Sequence, residues 1–534
     1  MKKIGKKNIA GSICIPSGIR CTKAEAIERY FGFEGIGIIT TKSVSFKPKT
    51  GYKEPLYVRV GEQSYINAVG LENPGAEVFA QELAGIAVPE DKFLLVSVFG
   101  KDADEFYSAA SVLAKYADGF ELNLSCPHAK GYGLQIGSDP DLVVEITKRI
   151  SESFDIPVFV KLSAAVQDIA GSAKAAAESG ASGAVLINTV PGMEYVGGVP
   201  ILSNVTGGMS GSSIRPVALK AVREVRQAIG NEPVIIGMGG ISSAAHIESF
   251  KAAGADFFGI GSALTGLNTS QAEEYIGNLH KGADIPNPAD SITNMDYQEC
   301  EIESNISLTD TLHRIKLSPW KNYPENTDVA GKFFFICIPG TGEKPFALYS
   351  YENREFIIKN VGCFTGVLTG LKPGNKVYIR GPYGNGMPDF EGAEVNFVAG
   401  GTGIAPCYEM AKKYSVGNTV RFFFGGRSAG DVFDTGRYAE LGEVNIATED
   451  GSLGFKGFVT DILRNCGLDS ERQVFINVGP VKMIESCVEI EKPEASEIWV
   501  SIEHRTSCGA GICGKCADSD GFITCVDGPF MRLQ

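Results

Sequence analysis

The sequence predicts an α/β protein made of a (β/α)8 barrel, a small antiparallel β-barrel, an α/β layer and a short cysteine-rich tail. Three observations carry this. Short apolar runs alternate with amphipathic segments from residue 11 to about residue 266. The alternation gives way to glycine-broken strand-like runs near residue 297 and returns at 393. Four of the 13 cysteines come after residue 507.

At 534 residues the chain exceeds a single core and fits two to four domains. Its 44% apolar content and 65 glycines suit α/β enzymes whose turns approach ligands closely. The formal charge of -14 is scattered, with no basic stripe, so the electrostatic basis of nucleic-acid binding is missing. The lysine-rich start is followed by an apolar run that breaks at Pro16, Ser17 and Gly18, which fits a first strand and its turn better than a signal segment. No window approaches the roughly 20 apolar residues of a membrane helix. The cysteines lack framework spacing, which points to a reducing compartment, and a cytoplasmic enzyme with no membrane and no nucleic-acid partner is expected.

In the first region, strands are predicted at residues 35–39, 93–98, 119–123, 158–162, 183–187, 234–237 and 257–260. Helical periodicity falls at 103–116, 140–153, 168–179 and 216–228. About eight such units in some 270 residues make one barrel, in which polar residues just after each strand face the active site. Those positions hold Thr41-Lys42, Asn123-Leu124-Ser125-Cys126, Lys161, Asn188-Thr189, Gly239-Gly240 and Gly261-Ser262. A polar stretch near 282–294 reads as a linker. Strand-like runs broken by glycine turns over 297–387 predict the antiparallel barrel. Strands at 395–399, 420–424, 444–447 and 474–478 then predict a nucleotide-binding α/β layout.

Cys508-Gly-Ala-Gly-Ile-Cys513-Gly-Lys-Cys516, with Cys525 beyond, has the Cys-x4-Cys-x2-Cys…Cys spacing of [2Fe-2S] ferredoxins, where small residues let backbone amides reach the sulfides. A structural zinc site is the alternative, although its ligands more often come as two separated Cys-x2-Cys pairs. Gly400-Gly401-Thr402-Gly403 follows a strand, as a pyrophosphate-binding turn does. Gly425-Gly426-Arg427 and Asn477-Val478-Gly479-Pro480 end later strands on the same edge.

This order of parts, with Thr448-Glu-Asp-Gly-Ser452 and Gly454-Phe-Lys-Gly457, resembles the electron-transfer subunit of NAD-dependent (class 1B) dihydroorotate dehydrogenases, of the ferredoxin reductase superfamily. The resemblance spans about 297–534 and implies FAD, NAD and a [2Fe-2S] cluster on Cys508, Cys513, Cys516 and Cys525. Gly401, Thr402 and Gly403 would meet a nucleotide cofactor. The family's flavin motif usually reads Arg-Pro-x-Ser, whereas this chain has Lys344-Pro345-Phe346-Ala347. Lysine keeps a charge but not the bidentate fork, and alanine loses a hydroxyl.

Residues 9–267 resemble the catalytic subunit of the same enzymes, an FMN barrel. Asn123-Leu-Ser-Cys126-Pro127 matches the family's Asn-x-Ser-Cys-Pro loop, which makes Cys126 the expected base for the C5 proton. A lone cysteine is otherwise a small buried hydrophobe. Lys42 resembles the lysine touching both flavin and substrate. Lys161 resembles the one near flavin N1, where a cation stabilises the reduced ring. A snorkelling surface lysine is the alternative for each. The resemblance assigns the substrate ring to Asn67, Gly70, Leu71, Asn123, Asn188 and Thr189. It assigns further flavin contacts to Ser17, Thr41, Ser97 and Ile187, and the FMN phosphate to Gly211, Gly239, Gly240, Gly261 and Ser262. His128 departs from the asparagine that many dihydroorotate dehydrogenases carry after Cys-Pro; Cys-Pro-His also occurs in dihydropyrimidine dehydrogenases.

The expected domains are residues 1–285 (FMN barrel), 286–388 (FAD-binding β-barrel), 389–487 (NAD-binding α/β domain) and 488–534 ([2Fe-2S] domain). The expected activity is oxidation of dihydroorotate to orotate with electrons passing from FMN to [2Fe-2S] to FAD to NAD+, in a homodimer. The rivals are a dihydropyrimidine dehydrogenase-like enzyme acting on uracil or thymine and a flavin electron-delivery module with no pyrimidine chemistry.

Overall fold

A computed structural model describes residues 2–125, 134–283, 295–320, 328–466 and 472–533. The chain divides into two compact units: residues 1–295 with 510–523, and residues 296–509 with 524–534. Among the described residues no helix is long and apolar enough to cross a membrane.

In the first unit eight parallel strands close into a barrel: β1 (Ile13–Ile15), β2 (Ile36–Thr40), β3 (Phe93–Val98), β4 (Gly119–Asn123), β5 (Val158–Ser163), β6 (Gly183–Asn188), β7 (Val234–Met238) and β8 (Phe257–Gly259). Neighbours in space are neighbours in sequence all the way round, as short βα crossovers require. Every residue of β3, β4 and β5 is buried, because helices cover the outside while side chains fill the inside. The interior is packed by Ile9, Cys14, Ile38, Leu95, Phe159 and Ile236 among others. Helix Pro140–Ser153 begins where the Asp139 carboxylate accepts the amides of Asp141 and Leu142, with Pro140 in its first turn. A short hairpin, Lys2–Ile4 with Lys7–Ile9, precedes the barrel. A four-stranded antiparallel sheet, Val190–Gly192, Gly207–Gly211, Ser64–Asn67 and Tyr57–Gly61 in spatial order, grows out of the βα loops.

The second unit holds two sheets. Strands β9 (Gln298–Ser307), β10 (Leu312–Leu317), β11 (Phe333–Ile338), β12 (Gly342–Ala347), β13 (Glu355–Lys359) and β14 (Lys376–Tyr383) form an antiparallel sheet in the order β12-β11-β14-β9-β10-β13. The other sheet contains β15 (Glu394–Gly400), β16 (Thr419–Gly426), β17 (Glu443–Thr448), β18 (Phe455–Lys456), β19 (Gln473–Val478), β20 (Ala495–Ser501) and β21 (Met531–Arg532). Its order is β18-β17-β16-β15-β19-β20-β21, parallel except for the last pair. Succession reverses direction at β15, so the crevice beyond that strand's carboxyl end is the topological switch point where open α/β sheets bind ligands. Gly401–Gly403 turns the chain there from β15 into helix Ile404–Tyr414. Gly403 can hold no side chain, since a Cβ would lie 2.5 Å from the Val478 carbonyl oxygen.

Helix Val481–Glu491 ends on a buried carboxyl. The Asn477 amide donates to Glu491 Oε2 at 2.8 Å, while Glu491 Oε1 and Asn477 Oδ1 meet no hydrogen-bond partner among the described residues. Burial pushes the Glu491 carboxyl up from 4.5 to about 8, against the opposing pull of the Asn477 hydrogen bond. Its folded pKa is raised, so its stabilisation is complete below 4.5 and is lost as pH climbs through about 8, at about 1.4 kcal/mol per pH unit. Glu491→Gln is expected to match the parent's melting temperature near pH 4 and to exceed it at pH 8.5. A melting series in which parent and variant lose stability in parallel from pH 5 to 8.5 would contradict this.

Candidate active site

The barrel's C-terminal face opens into a pocket whose described lining joins the ends of seven of its strands' loops to residues 512, 513 and 515 of the tail. Pro16 to Ile19 follow β1, Lys42 and Ser43 follow β2, and Asn123 ends β4. Lys161 projects from β5, Asn188 and Thr189 close β6, Gly239 and Gly240 follow β7, and Gly261 and Ser262 follow β8. Asn67, Gly70 and Leu71 come from the antiparallel sheet and the loop after it. Every predicted ligand residue of the barrel reaches this lining except Thr41 and Ser97, which stand behind it, and Cys126, which lies outside the described residues, as does His128. Gly211 and Gly240 have left-handed φ values of +96° and +75° and touch each other. A Cβ on Gly240 would sit 2.5 Å from the Gly211 carbonyl oxygen, and one on Gly211 would sit 1.9 Å from that of Gln63. This leaves bare backbone at the wall, which a phosphate cradle requires.

The polar groups are held by one another. The Asn123 amide donates to Ser43 Oγ at 2.9 Å, and its carbonyl oxygen accepts the Ser125 hydroxyl at 3.2 Å. Asn188 donates to Ser125 Oγ at 2.9 Å, and Asn67 to the Gly208 carbonyl at 3.1 Å. Three amides with fixed faces can meet the donor and acceptor edges of a flat polar ring. The Lys161 ammonium lies 3.5 Å from the Glu121 carboxylate, both fully buried. The Ser97 hydroxyl donates to the same Glu121 oxygen at 2.8 Å, and the other carboxylate oxygen has no partner among the described residues. Thr41 in turn accepts the Ser97 amide, so both predicted flavin contacts that miss the wall brace it from behind. The described lining carries Lys42, Lys161 and Lys515 and no carboxylate, while Lys161 and Lys515 are each paired with a carboxylate outside that lining, Glu121 and Glu72. Burial pushes the Cys14 thiol below the pocket up to about 12, and the Thr40 hydroxyl 3.7 Å away offsets only part of this. Cys14 is therefore an inert core residue.

The model of the family described as dihydroorotate dehydrogenase matches residues 1–281. The chain belongs to the dihydroorotate dehydrogenase family. It is an oxidoreductase and a flavoprotein built on that family's barrel. The dihydroorotate dehydrogenase B (NAD(+)) catalytic subunit of Thermoplasma acidophilum is 41% identical over 249 residues, 46% of this chain and 81% of that protein. The subunit of the same name from Methanocaldococcus jannaschii is 37% identical over 269 residues, 48% of this chain and 87% of that one. A solved structure of an NADH-dependent reduced ferredoxin-NADP oxidoreductase matches 44% of this chain and 87% of its own at 26% identity, with a TM-score of 0.40.

For a dihydroorotate dehydrogenase barrel, the residues that sequence reasoning missed include Ser43, Glu121, Ile512 and Lys515. Glu121 left a signal, an acid inside the apolar run of β4 two residues before Asn123 and so on the same inward face. Ile512 and Lys515 left none, since their approach to the barrel is a contact across most of the chain. The four tail cysteines are all buried, Cys513 the least at 8% exposed. Arg380 donates to the Cys508 carbonyl at 3.0 Å, and Thr22 to that of Cys513 at 3.3 Å. Gly509, Gly511 and Gly514 take left-handed φ between them. Among the described residues no group of three or more His, Cys, Asp and Glu is arranged to hold a metal ion. Lys344 is exposed, and Pro345, Phe346 and Ala347 are half-buried on β12, with Phe346 stacked 6.3 Å from Phe364.

Proposed function

We propose that this chain oxidises dihydroorotate to orotate in pyrimidine biosynthesis and delivers the electrons to NAD+, as a natural fusion of a catalytic subunit with its electron-transfer subunit. The carrying observation is the barrel pocket, where lysines, amides and a bare glycine wall converge in a chain of this family. FMN supplies the hydride acceptor there, and [2Fe-2S] and FAD supply the one- and two-electron carriers between it and NAD+. What supports the cluster is the donor set: Cys508, Cys513 and Cys516 at ferredoxin spacing on a glycine-turned loop, with the buried Cys525 beyond it. The domains run over residues 1–285, 286–388, 389–487 and 488–534, in a cytoplasmic homodimer.

Within the barrel, Asn67, Asn123, Asn188 and Thr189 hold the ring edges, and Gly70 and Leu71 close over it. Gly211, Gly239, Gly240, Gly261 and Ser262 take the phosphate of FMN. Lys161 would stabilise the charge that a reduced flavin gains, and Lys42 would contact both flavin and substrate. Cys126 takes the C5 proton as hydride leaves C6. In the second unit Lys344 to Ala347 meet FAD, and Gly401, Thr402 and Gly403 meet the nucleotide at the switch point.

Anaerobic stopped-flow mixing with dihydroorotate, dihydrouracil and NADH in turn tests the reading, alongside flavin and metal analysis. Dihydroorotate and NADH are expected to bleach flavin and dihydrouracil is not, on protein holding FMN, FAD and about two irons with two sulfides. Equal bleaching by dihydrouracil would move the enzyme to the dihydropyrimidine dehydrogenases. Bleaching by NADH alone would leave an electron-delivery module. Zinc without acid-labile sulfide would remove the cluster, and loss of FAD alone would trace to Lys344 and Ala347.

A further inference from the structure

The tail segment 510–523 packs within the barrel unit, and the barrel donates hydrogen bonds to its carbonyl oxygens at successive points. Gly266 N reaches Ala510 at 2.8 Å, Arg20 N reaches Ile512 at 2.7 Å, and Lys23 Nζ reaches Ala517 at 2.6 Å. Gly514 is pressed so closely that a Cβ would lie 2.2 Å from the Arg20 carbonyl oxygen. The loop is thereby fixed with Lys515, in the spacer between Cys513 and Cys516, facing the pocket, its side chain only 8% exposed. Its ammonium pairs with Glu72 at 2.5 Å, a contact 443 residues apart in sequence.

Glu72 follows Leu71 directly, so the pair grips the loop that carries Asn67, Gly70 and Leu71 into the pocket. That loop is strained and tightly backed. Leu71 sits at φ +57°, a left-handed value uncommon for a residue with a side chain. Tyr52 N donates to the Val69 carbonyl, and a Cβ on Gly70 would strike the Tyr52 ring at 2.8 Å. The Asn73 amide donates to the Leu71 carbonyl at 2.9 Å. Tyr52 and Asn73 thus hold the loop by its backbone, and Lys515 holds it by charge.

We propose that the Lys515–Glu72 ion pair is a latch by which the cysteine loop positions the rim loop, and so sets the pocket's affinity for its ring substrate. This rests on the reading of the pocket as the pyrimidine site. Two positioning residues follow, Lys515 and Glu72. The holoenzyme is titrated with orotate and binding is followed by the flavin absorbance change. Lys515→Met and Glu72→Gln are each expected to raise Kd about tenfold, the scale on which losing one partner of a largely desolvated pair is felt. Lys515→Arg, which keeps the charge, stays near the parent. The double variant loses about as much as either single one, because the interaction is removed only once. Glu72→Gln lies outside the cysteine loop and keeps the test sound if Lys515→Met disturbs cluster loading. Unchanged Kd in Glu72→Gln, or losses that multiply in the double variant, would overturn the latch. A parent whose flavin spectrum ignores orotate would overturn the substrate reading and the latch with it.

Discussion

Cys513→Ser is expected to leave dihydroorotate able to bleach FMN while NAD+ reduction falls to a small fraction of the parent rate. The substitution changes one atom in a loop whose position is set by its backbone. The Cys513 carbonyl still accepts from Thr22, and Ile512 still accepts from Arg20. Fold and pocket therefore persist. What changes is the donor: a hydroxyl replaces a soft thiolate at a proposed [2Fe-2S] ligand position. Changes to groups that merely support metal ligands cost about 10- to 100-fold, and loss of a ligand itself is expected to cost at least that. Cys508→Ser, whose carbonyl is held independently by the buried Arg380, is expected to behave alike. Separate assays of single-turnover FMN bleaching and steady-state NADH formation give the answer. NADH formation at the parent rate in both variants would take the cluster off the path.

The barrel was legible because its strands are mostly apolar and its helices carry capping signals. Residues 93–98 and 119–123 match strands β3 and β4 end to end, and 140–153 match a helix that Asp139 and Pro140 start. The parallel layer beyond residue 393 was legible for the same reason. The four-stranded sheet built from Tyr57–Gly61, Ser64–Asn67, Val190–Gly192 and Gly207–Gly211 was not. Its strands are short, rich in glycine and scattered over two βα loops, so local pattern gives no hint that they pair.

The site divides along the same line. Residues at strand ends, such as Asn123, Asn188 and Gly240, could be placed by counting, because the barrel sends every strand end to one face. Thr41 and Ser97 were placed by the same counting but support the wall from behind, since inward-facing residues sit in layers and only the top layer meets a ligand. Lys515 could not be found by any local rule. Its spacing marked it as filler between two cysteines, and only the seating of 510–523 on the barrel turns it into pocket wall.

The largest effect is expected at Cys126, whose assignment rests on the Asn-x-Ser-Cys-Pro loop that follows β4. Among the described residues of the barrel, the Cys14 thiol is pushed up by burial and is no candidate for the proton transfer. If Cys126 takes the C5 proton, Cys126→Ser leaves FMN content and orotate affinity close to the parent's, because those contacts are proposed to come from glycines, lysines and amides. Flavin reduction slows at neutral pH, since a serine hydroxyl is a far poorer base than a thiol, and loss of a general base typically costs about 10²- to 10⁴-fold. The sign of the pH dependence follows from the same chemistry. The variant's rate climbs with pH as hydroxide or a rarely formed alkoxide takes over the proton, whereas the parent's rate levels off once its thiol is ionised. Single-turnover reduction of FMN by dihydroorotate across a pH series reads both features at once. A variant that reduces its flavin as fast as the parent at pH 7, with the same profile, would remove Cys126 from the mechanism and pass the proton to His128 two residues on.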